Sequence, residues 1–334
     1  MSRLRLGVIG AGAWGRNHVR TVAGLADAEL AAVCDTSDAV RETAARQYPG
    51  AFVTAEVGAL LERVDAVVIA SPATTHADFA LRAIAAGKPC LVEKPFALSV
   101  ADALAVAEAA AARSVPVLAG HLLVFHPAVD ALRALVARGE LGRLLYMYGL
   151  RVNLGQVRAD ENALWSFGPH DVSVALHLLG EAPIRVTAQG SSYLRPVVEY
   201  VVFLHMEFAS GALAHFQLSW LDPHKERKLT VVGDKKMVVF DDMEPREKLR
   251  IYDKGVTRPP EYASWGESLA VREGDIFIPK IANVEPLAAE LTHFVRVARG
   301  TEQPRAGAAD GVRVVRVLEA ATRSLANGGT PVSS

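Results

Sequence analysis

Short runs of Val, Ile, Leu and Ala recur through the first 120 residues, at 4–10, 29–34, 65–70, 89–93 and 115–120. Between them lie Ala-rich stretches, 75–86 and 101–112 among them, whose apolar residues return at helical spacing. A strand that is apolar at almost every position is buried on both faces, which a parallel sheet covered by helices provides. Crossovers between parallel strands are nearly always right-handed, so few topologies remain, and the expectation is a doubly wound α/β domain over residues 1–121.

The pattern changes after Gly120. A helix at 127–138 leads into runs rich in Val, Tyr, Phe and Thr at 144–152, 184–190, 200–208, 212–220, 229–232 and 237–240. Ser210-Gly211 and Gly233-Asp234 supply the turns that antiparallel hairpins need. One helix, at 169–179, interrupts these strands and two, at 285–299 and 308–326, follow them. Segregated strands and helices predict an α+β second domain, 122–334, on a mostly antiparallel open sheet. Residues 241–283 mix Pro, Gly and charge and read as surface loop.

Composition narrows the class. The chain has 334 residues, and 36 Lys and Arg balance 37 Asp and Glu for a net charge of −1. That balance argues against a nucleic-acid partner. No apolar run reaches the roughly 18–20 residues of a membrane span, and no signal-peptide core precedes the first strand, so a cytoplasmic protein without a membrane partner is expected. Cys34 and Cys90 lie on strands either side of the first and are expected to be reduced core residues. The ten histidines show no metal-ligand spacing, so no metal is expected.

Gly10-Ala11-Gly12-Ala13-Trp14-Gly15 follows the first strand and opens a helix. In that setting the first Gly permits the tight turn, the second admits a pyrophosphate to the backbone, and the third lets helix and strand approach closely. The helix N-terminus offers free N–H groups to phosphates. Asp35 ends the second strand, where it would accept hydrogen bonds from the adenosine ribose and repel a 2′-phosphate. No Arg occupies 36–38, although Thr36 and Ser37 lie there, so NAD is favoured over NADP. Two further segments project from strand carboxyl ends toward the same crevice: Ser71-Pro72-Ala73-Thr74-Thr75-His76 and Glu93-Lys94-Pro95. The expected cofactor contacts are Gly10, Gly12, Ala13, Trp14, Gly15, Asp35, Thr36, Ser71, Pro72, His76, Glu93 and Lys94.

With these motifs, Gly87-Lys88-Pro89 and Gly120-His121, the chain resembles the Gfo/Idh/MocA oxidoreductases along essentially its whole length. The Glu93-Lys94-Pro95 tripeptide is the most specific part of the likeness. The resemblance implies an N-terminal Rossmann domain and a C-terminal α+β domain whose open sheet mediates a homo-oligomer, dimer or tetramer. It also implies hydride transfer between NAD(P) and a hydroxyl carbon of a sugar or polyol. Gly168-Pro169-His170 matches the family's Gly-x-His motif and makes His170 the partner of Lys94 in proton transfer; either could take the proton. Pro169 suits a first helical position, which would place His170 and Asp171 in the first turn and favour a neutral imidazole. Ser166 and Ser173 stand where many members carry acids, so Asp171 is either a substitute or a helix cap.

The segments 151–158 and 162–167 hold amides, arginines and Trp165, and Asp222 to Lys228 forms a second basic cluster. They look like members acting on nucleotide-linked sugars, UDP-N-acetylglucosamine 3-dehydrogenases in particular. The expected substrate contacts are Lys94, Arg151, Asn153, Arg158, Trp165, His170, Asp171, Lys225 and Arg227. The alternatives are a dehydrogenase of free inositol or sugar, a ketoreductase of deoxysugar nucleotides, and a non-catalytic NAD-binding sensor.

Overall fold

A computed structural model describes residues 2–155, 161–196, 198–257 and 270–333. The chain divides into two compact units, residues 1–126 with 284–316, and residues 127–283 with 317–334.

The first unit is built on β1 (Leu4–Ile9), β2 (Ala28–Cys34), β3 (Phe52–Thr54), β4 (Ala66–Ile69), β5 (Cys90–Glu93) and β6 (Val117–Gly120). All pair in parallel, in the order β3-β2-β1-β4-β5-β6. The connecting helices are α1 (Gly15–Gly24), α2 (Asp38–Gln47), α3 (Val57–Leu61), α4 (His76–Ala85) and α5 (Val100–Arg113). Every residue of β4 and of β5 is buried, as the apolar runs predict. Cys34 and Cys90 are buried free thiols, and burial pushes Cys34 up to about 11 and Cys90 up to about 12.

The second unit carries β7 (Leu144–Leu154), β8 (Pro183–Ser191), β9 (Val201–Phe208), β10 (Leu213–Ser219), β11 (Leu221–Gly233), β12 (Met237–Asp241) and β13 (Leu249–Tyr252). The pair β14 (Gly255–Thr257) and β15 (Ala270–Arg272) stands apart, and β16 (Ile276–Phe277) and β17 (Val332–Ser333) close the sheet edges. The nine-stranded order is β16-β13-β12-β11-β7-β10-β9-β8-β17, antiparallel except where β7 meets β10. Its helices are α6 (Pro127–Ala137) and α7 (Ala163–Leu179).

Three expectations need correction. The closing helices α8 (Pro286–Ala298) and α9 (Ala308–Ala326) form as predicted, but the chain does not divide once at residue 121. Leu287, Leu291, Phe294, Val295 and Val297 of α8 share a core with Leu6 and Val8 of β1 and Val19 and Val22 of α1. Residues 241–283 are not simply loop, because β13 to β16 lie within them; 258–269 fall outside the described residues. The strand expected at 229–232 begins at Leu221, so the basic segment 222–228 belongs to β11, and a register shift between Leu221 and Glu226 accommodates Pro223.

The nine-stranded sheet leaves large apolar side chains exposed on one face. Along β7 the residues alternate, and Met147, Gly149 and Arg151 face inward while Tyr146 and Tyr148 stay exposed. Phe203 and Leu213 are exposed on the paired strands β9 and β10, where Leu213 stands opposite Tyr146. Among the described residues, no helix is long and apolar enough to cross a membrane.

Candidate active site

The glycine loop lies at the carboxyl end of β1, where the strand order reverses between β1 and β4. Gly10 takes φ +83°, and a Cβ there would stand 2.5 Å from the Ser71 backbone nitrogen. A Cβ on Gly15 would come within 1.9 Å of the Gly10 carbonyl oxygen. A Cβ on Gly12 would meet nothing within 4 Å. Turn, close packing and an open approach are therefore divided among the three glycines as the sequence predicts. The open side at Gly12 fits a pyrophosphate. Gly12→Ala is accordingly expected to leave the melting temperature unchanged and weaken NAD binding at least ~5-fold, the effect of about 1–3 kcal/mol of steric overlap. Titration calorimetry checks it. Gly15→Ala should lower the melting temperature instead.

Asp35 follows β2 and its carboxylate is partly engaged. Oδ2 accepts from the Ala11 N–H at 2.8 Å and Oδ1 from the Ser37 N–H at 2.9 Å. This ties the glycine loop to the end of β2 while leaving acceptor lone pairs for ribose hydroxyls. Thr36 is exposed beside it. Arg41, one turn into α2, donates to the Asp35 carbonyl at 2.8 Å and pairs with Asp38.

His76 opens α4 with both ring nitrogens facing carbonyls, Nδ1 at 2.8 Å from Pro95 O and Nε2 at 2.9 Å from Ser71 O. The ring thus latches the loop after β4 to the loop after β5, the one that carries Lys94. Ser71 and Thr75 hydroxyls bond each other at 2.7 Å, and Thr75 donates to Pro72 O.

Glu93, the last residue of β5, is buried. Its Oε1 accepts from Trp14 Nε1 and from His18 Nε2, both at 2.7 Å, and its Oε2 accepts from the Lys94 backbone N–H at 2.9 Å. Burial alone would raise this carboxyl, but the His18 hydrogen bond, the His18 and Lys94 charges and the Trp14 hydrogen bond hold it down at about 2. The sequence placed Glu93 against the cofactor and did not single out His18. The available signal was the four-residue spacing of Trp14 and His18, which puts both on one face of α1. Lys94 is half-buried beyond this cluster.

Three more ionisable groups are buried in the same unit. His121 is pushed down to about 4 by burial, so its ring is neutral at pH 7. It follows β6, where Gly120 lies so close to Glu93 that a Cβ would stand 3.0 Å from the Glu93 Cα. His126 is buried as well. Glu290, on α8, is fully buried, and burial together with the Glu93 charge raises its carboxyl well above the ordinary 4.5. Above pH 4.5 the unfolded chain ionises this group while the native state keeps the proton. Native stability then falls by about 1.4 kcal/mol per pH unit until the raised value is reached. Glu290→Gln has no such slope. Its melting temperature relative to the parent should therefore climb between pH 5 and pH 8, as calorimetric scans would show.

In the second unit, His170 and Asp171 do not open a helix. Asn162 caps α7, accepting from the Trp165 N–H at 3.1 Å, and Pro169 lies two turns inside. Asn162 is a strong cap and the residues after it are good helix formers. Gly168 serves packing against α9 instead of breaking the helix, because a Cβ there would stand 3.0 Å from Leu318 Cδ2. The macrodipole fades within the first turn, so it does not set the charge of His170. Ser173 Oγ donates to the His170 carbonyl at 2.9 Å.

Asp171 instead grips Arg151 through two bonds, Nε to Oδ2 at 2.6 Å and the second guanidinium nitrogen to Oδ1 at 3.0 Å. Burial works against the Arg151 guanidinium, but the Asp171 charge and hydrogen bonds outweigh it and the shift is upward. Arg151 was expected among the substrate contacts; its fork is used internally. Arg227 stands opposite Arg151 in the β7–β11 ladder, and Asp242 lies 3.7 Å from it. The pairing brings the two basic segments of the sequence together, with Asn153 half-buried and Lys225 exposed. Trp165 donates from Nε1 to Thr322 at 3.0 Å. Arg158 lies outside the described residues. Among them, no group of three or more His, Cys, Asp and Glu could hold a metal ion.

Steric demand at Gly10 and Gly15, an open side at Gly12 and a carboxylate at the end of β2 make the first unit a dinucleotide-binding Rossmann domain. Residues 4–121 match the model for the oxidoreductase family with an NAD-binding Rossmann fold, and residues 129–239 match the GFO/IDH/MocA C-terminal domain. The UDP-N-acetylglucosamine 3-dehydrogenase of Acidithiobacillus ferrooxidans is 30% identical over 323 residues, covering 96% of each chain. A solved structure of that enzyme aligns with TM-score 0.83 at 25% identity, over 98% of this chain and 99% of the other. Inositol 2-dehydrogenase 2 of Saccharopolyspora erythraea is 33% identical over 224 residues, 64% of this chain and 66% of that protein. The chain belongs to the Gfo/Idh/MocA family of NAD-binding oxidoreductases.

Proposed function

We propose that this oxidoreductase dehydrogenates a secondary hydroxyl, at C3, of a nucleotide-linked sugar such as UDP-N-acetylglucosamine, giving the 3-keto sugar. NAD, when bound by the glycine loop and Asp35, supplies the acceptor for the hydrogen and electron pair that leave the carbinol carbon. Lys94 hydrogen-bonds the substrate oxygen and stabilises the negative charge that develops on it, and His170 takes the hydroxyl proton. The observation that carries the nucleotide-sugar reading is the β7–β11 pairing, which sets Arg227 opposite Arg151 and so joins the two basic segments on the unit that also bears His170. Cationic and amide donors of this kind suit a diphosphate and sugar hydroxyls.

A second reading, oxidation of free inositol or sugar, is favoured by one observation. The Arg151 guanidinium is committed to Asp171, which removes one of the arginines expected to contact a nucleotide-linked substrate. Thermal melts separate the two. Added to NAD, UDP-N-acetylglucosamine should raise the melting temperature above NAD alone, and myo-inositol should not. The reverse pattern would select the polyol, and stabilisation by NAD alone would reopen the sensor. The enzyme is further proposed to work in the cytoplasm as a homo-oligomer, dimer or tetramer. Its copies would cover the open sheet face that exposes Tyr146, Tyr148, Phe203 and Leu213.

A further inference from the structure

The proposed reaction uses Lys94 but not the buried polar residues behind it. Within the first unit, α1 contributes Trp14 and His18, β5 contributes Glu93, α8 contributes Glu290, and His121 follows β6 with Asp310 of α9 acting on it. His18 and Glu290 are completely buried. Glu290 keeps its proton and His121 is neutral, so the negative charge of the Glu93–Glu290 pair resides on Glu93. An ionised carboxylate only accepts hydrogen bonds, so His18 Nε2 carries the proton in its 2.7 Å bond to Glu93 Oε1. The other carboxylate oxygen takes the Lys94 backbone N–H at 2.9 Å. The Nδ1 of His18 is buried with no hydrogen-bond partner among the described residues. An apolar side chain would pack there without that unmade bond. The hydrogen bond that His18 does make is through the other nitrogen, to Glu93.

We propose that His18 is a positioning residue for Lys94, acting through Glu93: its Nε2–H orients the carboxylate that receives the Lys94 backbone N–H. The inference rests on the reading of Lys94 as the group that meets the substrate oxygen. Trp14 donates to the same oxygen as His18 and fixes it from the glycine loop. Without the His18 donor, burial and the remaining environment no longer hold Glu93 ionised. Lys94 then loses both a fixed backbone and a nearby anion that favours its ammonium form.

Two substitutions divide the roles of the ring. His18→Leu fills the space without a donor, and His18→Gln keeps a donor near the position of Nε2. The first readout needs neither NAD nor substrate: competitive acetylation of the protein across pH, with Lys94 and the exposed Lys225 quantified by peptide mass spectrometry. His18→Leu should move the Lys94 labelling midpoint down by ~1 pH unit or more, the scale of losing one adjacent opposite charge. His18→Gln, which keeps a donor but not the charge of the ring, should bring the midpoint part of the way back, and Lys225 should not move in either variant. With NAD and an active substrate, His18→Leu should lower kcat ~10-fold or more while the KM for NAD stays within ~2-fold, a split typical of lost positioning. If His18→Leu does not fold, Glu93→Gln removes the same charge and must move the Lys94 midpoint in the same direction. An unmoved Lys94 midpoint in either folded variant overturns the proposal. A parent protein that binds NAD yet oxidises no sugar or polyol overturns the functional reading instead, and the labelling experiment still decides the role of His18.

Discussion

Lys94→Met is expected to lower turnover at least ~100-fold, the usual consequence of removing a group that assists proton transfer. The fold should hardly notice. Lys94 is half-buried, and Met retains most of its apolar stem while deleting the ammonium. The contact that fixes its place in the chain is made by its backbone N–H to Glu93, which the substitution keeps. Glu93 loses one of the charges that hold it ionised but retains His18 and Trp14. The expected result is therefore a melting temperature close to the parent's, NAD affinity within a few-fold, and a collapse of kcat in steady-state assays. Near-normal turnover would remove Lys94 from the chemistry, whatever the binding data show.

The second large effect is on stability and concerns the Arg151–Asp171 pair. Each side chain is 7% exposed, so solvent does little to screen the interaction. Deleting one partner of such a pair strands the other as a buried charge, and Arg151→Met or Asp171→Leu alone should cost about 3–5 kcal/mol. Replacing both by leucine removes both charges together and should cost much less than either single change, because no orphan charge remains. Urea unfolding at pH 7 measures all three. A loss under ~1 kcal/mol in Arg151→Met would mean that the guanidinium is not committed to Asp171, and would return Arg151 to the substrate.

These expectations show where sequence and structure part. The first sheet was legible because its strands are almost continuously apolar, and the observed bounds fall within about two residues of the apolar runs. β3 was missed because Phe52–Thr54 is three half-buried residues with no run to announce it. The roles of Gly10, Gly12 and Gly15 could be read because they are steric and local. The Glu93 cluster could not, because its partners lie 75 and 79 residues away along the chain and only the sheet brings them together.

Pro169 misled for a physical reason. Proline is common at a first helical position, and here it stands in the interior, after a Gly whose missing side chain serves packing with Leu318. Arg151 misled through the sheet's two faces. The apolar alternation on β7 marks Tyr146 and Tyr148, yet those lie exposed while Arg151 faces inward to Asp171. One sequence cannot say which face of a sheet the chain covers itself and which it leaves open.

The most direct test of the central claim is NADH formation, followed by absorbance, when the protein and NAD meet UDP-N-acetylglucosamine, its 3-deoxy analogue and myo-inositol in turn. The account predicts NADH with UDP-N-acetylglucosamine and none with the analogue that lacks the C3 hydroxyl. NADH with myo-inositol alone, or with none of the three while NAD still binds, would contradict it.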